Sequence, residues 1–155
     1  MKMLNLYYYK QRQDYTCGPV CLQMVFRYFG KFILRKKLIY LCRTTKKYGT
    51  SHAALIGAVK SLGFFTYIHK NCNLKHLQHY INLNLPIIIN YIEPSDNFGH
   101  YSVVIGFDKE DIILNDPWNG YKFRIDKDFF IKRWHNTHGS NKWMLVVSNE
   151  KLYSN

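Results

Sequence analysis

In the stretch QRQDYTCGP, residues 11–19, a cysteine stands directly before Gly-Pro and a glutamine lies six residues ahead of it. A thiol is a useful nucleophile only as a thiolate, so its resting pKa of about 8.5 has to be lowered. A helix N-terminus helps, because unpaired N–H groups and the helix dipole favour negative charge there. Cys17 occupies such a place if a helix begins at CGPVCLQMVFRYFG, where Pro19 suits the first turn because its missing N–H costs nothing. Gly18 would let a substrate backbone come close to the sulfur. Taken alone, Cys17 reads equally as a small hydrophobe at the helix start, and Cys21, one turn later on the same face, reads as core.

A thiolate needs a base, and the base needs a group to orient it. Of the seven histidines, His100 is the candidate: it opens the run HYSVVIGFD just after the turn-rich PSDNFG. A residue at a strand mouth beside such a loop stands at the edge of a sheet, where a cleft can form. The next apolar run ends in LNDPWNG, and Pro117 forces the chain out of the sheet, leaving Asp116 near the strand end. If the two strands are neighbours, Asp116 meets the imidazole of His100. Singly, His100 is a strand-edge residue and Asp116 an Asx-turn residue ahead of proline. Gln11 completes the set, since acyl transfer develops an oxyanion that a side-chain amide and a backbone N–H can stabilise together. Gln13 and Asp14 read as turn and solvent residues.

The elements that would position these groups follow from periodicity. The first half is helical in pattern. Val20, Leu22, Met24, Val25 and Phe29 are the apolar residues of the first helix, with Gly30 as its stop. LRKKLIYLCR is a second helix. A third runs through GTSHAALIGAVKSLGF, with Ser51 as N-cap, Gly63 as stop and an apolar stripe between them. LKHLQHYINLN is a fourth. The second half switches to short β-branched and aromatic runs, PIIINYIE, HYSVVIGFD, DIILND, YKFRI and KWMLVVS, interrupted by the helix DKDFFIKRW with Asp126 near its start. Helices first and mostly adjacent strands afterwards give an α+β fold with an antiparallel sheet. The YYY at 7–9 reads as an edge strand.

Length and composition bound the rest. The 155 residues, 47% hydrophobic and 17% aromatic, fit one packed domain over 1–155 without repeats or linkers. Apolar runs are too short to cross a bilayer, and the N-terminus lacks the apolar core and cleavage site of a signal peptide. The expected compartment is cytoplasmic, or outside the cell by a signal-peptide-independent route. Four cysteines in such a chain read as thiols rather than bridges. The net charge of +12 suggests acidic partners, with its densest patches at RKK (35–37) and RTTKK (43–47). No zinc-finger spacing, RNP pattern or basic heptad region accompanies it, so a basic soluble surface outweighs a nucleic-acid role.

The separate segments, in order, resemble the papain-like cysteine peptidases that process bacteriocin precursors, a family that includes leader-cleaving domains fused to peptide-exporting transporters. The resemblance rests on Q-x5-C-G-P at Gln11 to Pro19, then GTS…LIGAVKSLGF, GHYSVVIGFD, ILNDPWNG, a helix ending in Trp134 and a last strand KWMLVV, and covers roughly residues 8–148. It implies a papain-like fold, an N-terminal helical lobe packed on a C-terminal twisted antiparallel sheet. It also implies Cys17 as nucleophile, His100 as base, Asp116 as its orienter and Gln11 as oxyanion-hole donor. Thr16 and Pro19 depart from the transporter-linked pattern, which has an acidic residue before the nucleophile and a small one after the glycine. The chain is therefore similar to the stand-alone branch. Double-glycine cleavage is not implied, because that specificity lies in a groove outside these motifs.

The expected function is a thiol hydrolase acting on a peptide or protein substrate, with no cofactor and no metal. Deamidation, transglutamination or isopeptide cleavage at the same groups are alternatives, as is a catalytically idle peptide-binding module. HKNC (His69, Cys72) and HNTH (His135, His138) have spacings a metal site can use, but neither pairs with a second half. His76 and His79 fall on a solvated helix face, His52 reads as a surface or capping residue, and Trp118 as a cleft wall or packing residue. Oligomeric state is not encoded in any pattern found.

Overall fold

The computed structural model describes residues 1–136 and 141–152. Helix α1 (Cys17–Tyr28) begins at the candidate nucleophile. Thr16 is its N-cap, but the Thr16 hydroxyl turns back to donate to the Gln13 carbonyl (3.1 Å) and gives the helix no side-chain cap. Pro19 sits in the first turn, as expected. Val20, Cys21, Leu22, Met24, Val25 and Phe26 are all fully buried, so α1 is covered nearly all round rather than along one stripe. Helices α2 (Arg35–Leu41) and α3 (His52–Ser61) pack beside it. Ser51 caps α3 by accepting from the Ala54 N–H (3.1 Å), and Gly63 stops it with a φ of +83°, both as the sequence implies.

Beyond α3 come β2 (Phe65–His69), α4 (Leu74–Asn82), β3 (Ile87–Ile92), β4 (Gly99–Phe107), β5 (Asp111–Asp116), β6 (Gly120–Asp126), α5 (Lys127–Arg133) and β7 (Met144–Ser148), while β1 is the short Lys2–Met3. Asn73 and His76 close a reciprocal capping box on α4, and Asp126 caps α5 by accepting from the Phe129 N–H (3.0 Å). The strands form one seven-stranded sheet, ordered β2-β7-β3-β4-β5-β6 with β1 attached to β4, and every pairing is antiparallel. β3 and β4 are buried along nearly their whole length, so both faces of the sheet's centre are covered; α1 and α4 both pack on β4. One core cluster runs from Leu4 to Val147. Among the described residues no helix is long and apolar enough to cross a membrane.

The α+β class and the helix and strand runs stand as read, with two corrections. The segment Phe65–His69 is a strand lying between two helices, and it joins the sheet's edge through β7. Its mostly exposed burial pattern explains why no apolar alternation announced it. Tyr7 to Tyr9, by contrast, are not a strand. The chain leaves the sheet after the Leu4 N–H bonds the Ile105 carbonyl (2.7 Å), Tyr7 and Tyr9 take up Arg27, and Tyr8 turns inward.

Gly18 serves the fold in a way the sequence did not suggest. A Cβ there would lie 3.0 Å from the Thr50 hydroxyl oxygen and 3.1 Å from its Cβ, so glycine is what lets the loop before α3 close on the start of α1. Thr50 is held there by a 2.7 Å hydrogen bond between its hydroxyl and that of Thr44. Gly18→Ala should therefore cost about 1–3 kcal/mol of stability by overpacking, read as a lower urea midpoint with an unchanged slope.

Candidate active site

The register of the sheet decides which residues meet. Val103 on β4 stands opposite Asn115 on β5, which carries Asp116 to a position across from Ser102 and diagonal to His100. His100 and Asp116 therefore share a face, and His100 Nε2 lies 2.9 Å from Asp116 Oδ1. A carboxylate only accepts, so this nitrogen carries its hydrogen and donates. Both residues are buried, His100 at 5% exposure and Asp116 at 0%.

Asp116 is almost saturated with donors. Oδ1 also accepts from the backbone N–H groups of Trp118 (2.9 Å) and Asn119 (2.8 Å), and Oδ2 accepts from the Tyr91 hydroxyl (2.5 Å). The Asp116 carbonyl accepts from the Tyr8 hydroxyl (2.7 Å). The Asx turn ahead of Pro117 and the contact with His100 thus coexist on one carboxylate. Burial raises the carboxyl's pKa, but the His100 charge and these hydrogen bonds outweigh it and hold it lowered to about 2. The His100 pKa moves the other way. Burial alone lowers it; the charges of Asp116 and Cys17 and hydrogen bonds to both raise it well above the ordinary histidine value.

The second ring nitrogen, Nδ1, is the one left over for Cys17, and His100 and Cys17 line the same cavity. Burial pushes the Cys17 pKa up, but the His100 charge, the His100 hydrogen bond and a further one from the Tyr101 backbone N–H bring it below the usual thiol value. The other cysteines are free thiols with the opposite shift. Cys21, Cys42 and Cys72 are buried and raised by that burial. Cys17 alone among them is half-buried, opening on a cavity of about 590 Å³.

Gln11 lies in the same cavity wall, 3% exposed. Its backbone N–H donates to the Pro117 carbonyl (3.0 Å), and its Nε2 donates to the Gln13 carbonyl (2.8 Å). One N–H of the amide is thereby fixed, and the amide nitrogen has a second one to offer. Trp118, 38% exposed, forms part of the wall, its indole N–H donating to Asp96 Oδ2 (3.3 Å). Lys46 and Lys47, from the basic patch at 43–47, stand at the rim. The structure thus brings together Gln11, Cys17, His100, Asp116 and Trp118.

Several partners were not legible in the sequence. Tyr91 reaches Asp116 because β3 pairs Tyr91 directly opposite His100, a register no local pattern reveals. Asn119, donating to Glu93 Oε2 (3.3 Å) as well as to Asp116, ties the turn to the buried end of β3. His52 is neither a surface nor a capping residue. It is stacked on Trp143 (ring centroids 3.9 Å apart), its Nδ1 lies 2.5 Å from the Tyr101 hydroxyl, and burial lowers its pKa to about 4. Among the described residues no group of three metal-ligating side chains occurs. His69 pairs with Tyr80, Cys72 is core, and His138 of HNTH lies outside the described residues.

Comparison with known proteins places the chain in a family. The transport/processing ATP-binding protein ComA of Streptococcus pneumoniae is 30% identical over 136 residues, which is 86% of this chain and 18% of that protein. The chain thus spans less than a fifth of the length of that curated relative. The crystal structure of the peptidase domain of Streptococcus ComA superimposes with a TM-score of 0.76 at 27% identity, covering 96% of this chain and 98% of that one. A double glycine motif protease from an AMS/PCAT transporter, crystallised with the leader peptide, shares the fold at 19% identity with a TM-score of 0.77, over 95% and 94% of the two chains. The family model of the C39 peptidases matches residues 5–140, and the chain belongs to the peptidase C39 family, whose members are cysteine peptidases of papain-like fold.

Proposed function

We propose that this chain cleaves a peptide bond with Cys17 as nucleophile, His100 as general base and acid, Asp116 as orienter and Gln11 as an oxyanion donor. The observation that carries the reading is that His100, hydrogen-bonded to a fully buried carboxylate, lines the same cavity as Cys17 and lowers the pKa of its thiol. An idle peptide-binding module has no need for a lowered thiol pKa beside a raised imidazole pKa.

In this reaction the Cys17 thiolate attacks the scissile carbonyl while the His100 imidazolium keeps its Nε2–H on Asp116. The oxyanion is met by the free N–H of the Gln11 amide and by the N–H of Cys17, since the first N–H groups of a helix have no intrahelical partner. His100 Nδ1 gives its proton to the leaving amine, and a thioester remains on Cys17. Nδ1 then takes a proton from water, whose oxygen attacks the thioester and releases the acid and the thiolate. No step requires a cofactor. The substrate class is a peptide or protein, in keeping with the leader peptide bound by the double glycine motif protease of like fold.

Four measurements test the reading. Cys17→Ala should abolish hydrolysis of a peptide library, and turnover equal to wild type would refute it. The dependence of kcat/KM on pH should be a broad bell. Its acid limb belongs to the Cys17 thiol, whose lowered pKa brings the thiolate in early, and its alkaline limb to His100, whose raised pKa keeps the proton late. Asp116→Asn removes the charge that holds the imidazolium, so the alkaline limb should move to lower pH; an unmoved limb counts against Asp116 as orienter. Gln11→Ala should lower kcat about 10²–10³-fold, the usual loss of one oxyanion donor, with little change in KM.

A further inference from the structure

One buried polar group of the cleft is unexplained by the reaction above. Asn90 lies on β3 and lines the same cavity as Cys17 and His100, yet is only 6% exposed. Its Oδ1 is buried and has no hydrogen-bond partner among the described residues. Burial of an unpaired carbonyl costs about 1–3 kcal/mol, and such groups are rare in folded proteins. Asn90 also interrupts an apolar strand, because Ile87, Ile88, Ile89 and Tyr91 around it are all fully buried.

Its neighbours cannot satisfy it. Asn90 is paired with Tyr101, so their side chains share a face of the sheet, and both line the cavity that holds Cys17. The Tyr101 hydroxyl is already taken by the Thr50 carbonyl (3.0 Å) and by His52. The Glu93 carboxylate, itself an acceptor from Ser95, the Asp96 N–H and Asn119, has no hydrogen to give. Gln11 Oε1 is the other unpartnered acceptor here, but it belongs to the amide assigned to the oxyanion.

We infer that Asn90 is a specificity-determining residue, whose amide reads an uncharged hydrogen-bonding side chain, a hydroxyl or carboxamide, on the bound peptide. This rests on the peptide-cleaving reading of the cleft. A primary amide both donates and accepts, and Ser, Thr, Asn and Gln do the same or offer one rotatable hydroxyl that does either. An ammonium is disfavoured because the amide brings no counter-charge and the nearby Glu93 carboxylate is already occupied. An aliphatic side chain would leave Oδ1 unpaired in the complex as well.

The test separates this inference from the hydrolytic one by measuring binding. A displayed peptide library is panned on Cys17→Ala, on Cys17→Ala with Asn90→Leu, and on Cys17→Ala with Asn90→Asp. The first should enrich one peptide position about tenfold for Ser, Thr, Asn or Gln, the worth of one good hydrogen bond. Leucine, of nearly the same shape, should turn that position aliphatic. Aspartate keeps an acceptor there and should extend the preference to Lys and Arg, and it serves as the probe should the leucine variant not fold. The same preference in all three proteins, or no preference at any position, overturns the role of Asn90. Enriched peptides are then given to the wild-type protein: if they survive uncut, the hydrolytic reading falls while the binding result for Asn90 stands.

Discussion

Taking a carboxylate out of water costs several kcal/mol even after relaxation, and removing one partner of a buried ionic pair leaves that cost uncovered. Asp116, with no exposure, is where this fold concentrates that demand. The donors that answer it come from β3 (Tyr91), from β4 (His100) and from the turn after β5 (Trp118 and Asn119). Each has to arrive in register, so the centre of the sheet and the turn at Pro117 are specified together by one buried charge. The same charge keeps a proton on His100, and that proton favours the thiolate at Cys17. A sheet, a turn and a helix start are thus linked by electrostatics that act strongly because the site is screened from water.

The cleft is not uniform in character. Its lining carries charges of both signs, Lys46 and Lys47 against Asp14, Glu93 and Asp96. Those lysines are the local face of the +12 charge. Charges of both signs at a cleft affect how fast a peptide arrives more than how it is read once seated.

Much of this was legible before any coordinates. Ser51 and Gly63 bracketed α3 because caps and stops are local chemistry. His100 and Asp116 were singled out because each ends an apolar run beside turn residues, and two such runs in succession form neighbouring antiparallel strands. What was hidden depended on distance along the chain. Tyr91 and Asn90 look like interchangeable residues of one apolar run, and only the register with His100 and Tyr101 sends one to the carboxylate and the other into the cleft. His52 reads as a surface or capping residue, and only the packing of Trp143 and Tyr101 makes it a half-buried ring. Gly18 looked like room for a ligand, whereas the room is filled by Thr50. β2 gave no alternating signal because the edge of a sheet has little to bury.

A backbone hydrogen bond runs from the Gln11 N–H to the Pro117 carbonyl. It clips the loop ahead of α1 to the turn that carries the Asp116 donors, although the two are about a hundred positions apart in the chain. The two segments are therefore coupled through that bond. A shift of the turn is felt by the loop that ends at Cys17, so substitutions in the two segments should combine non-additively, and a peptide that presses on Trp118 presses on the neighbour of the residue that holds Gln11.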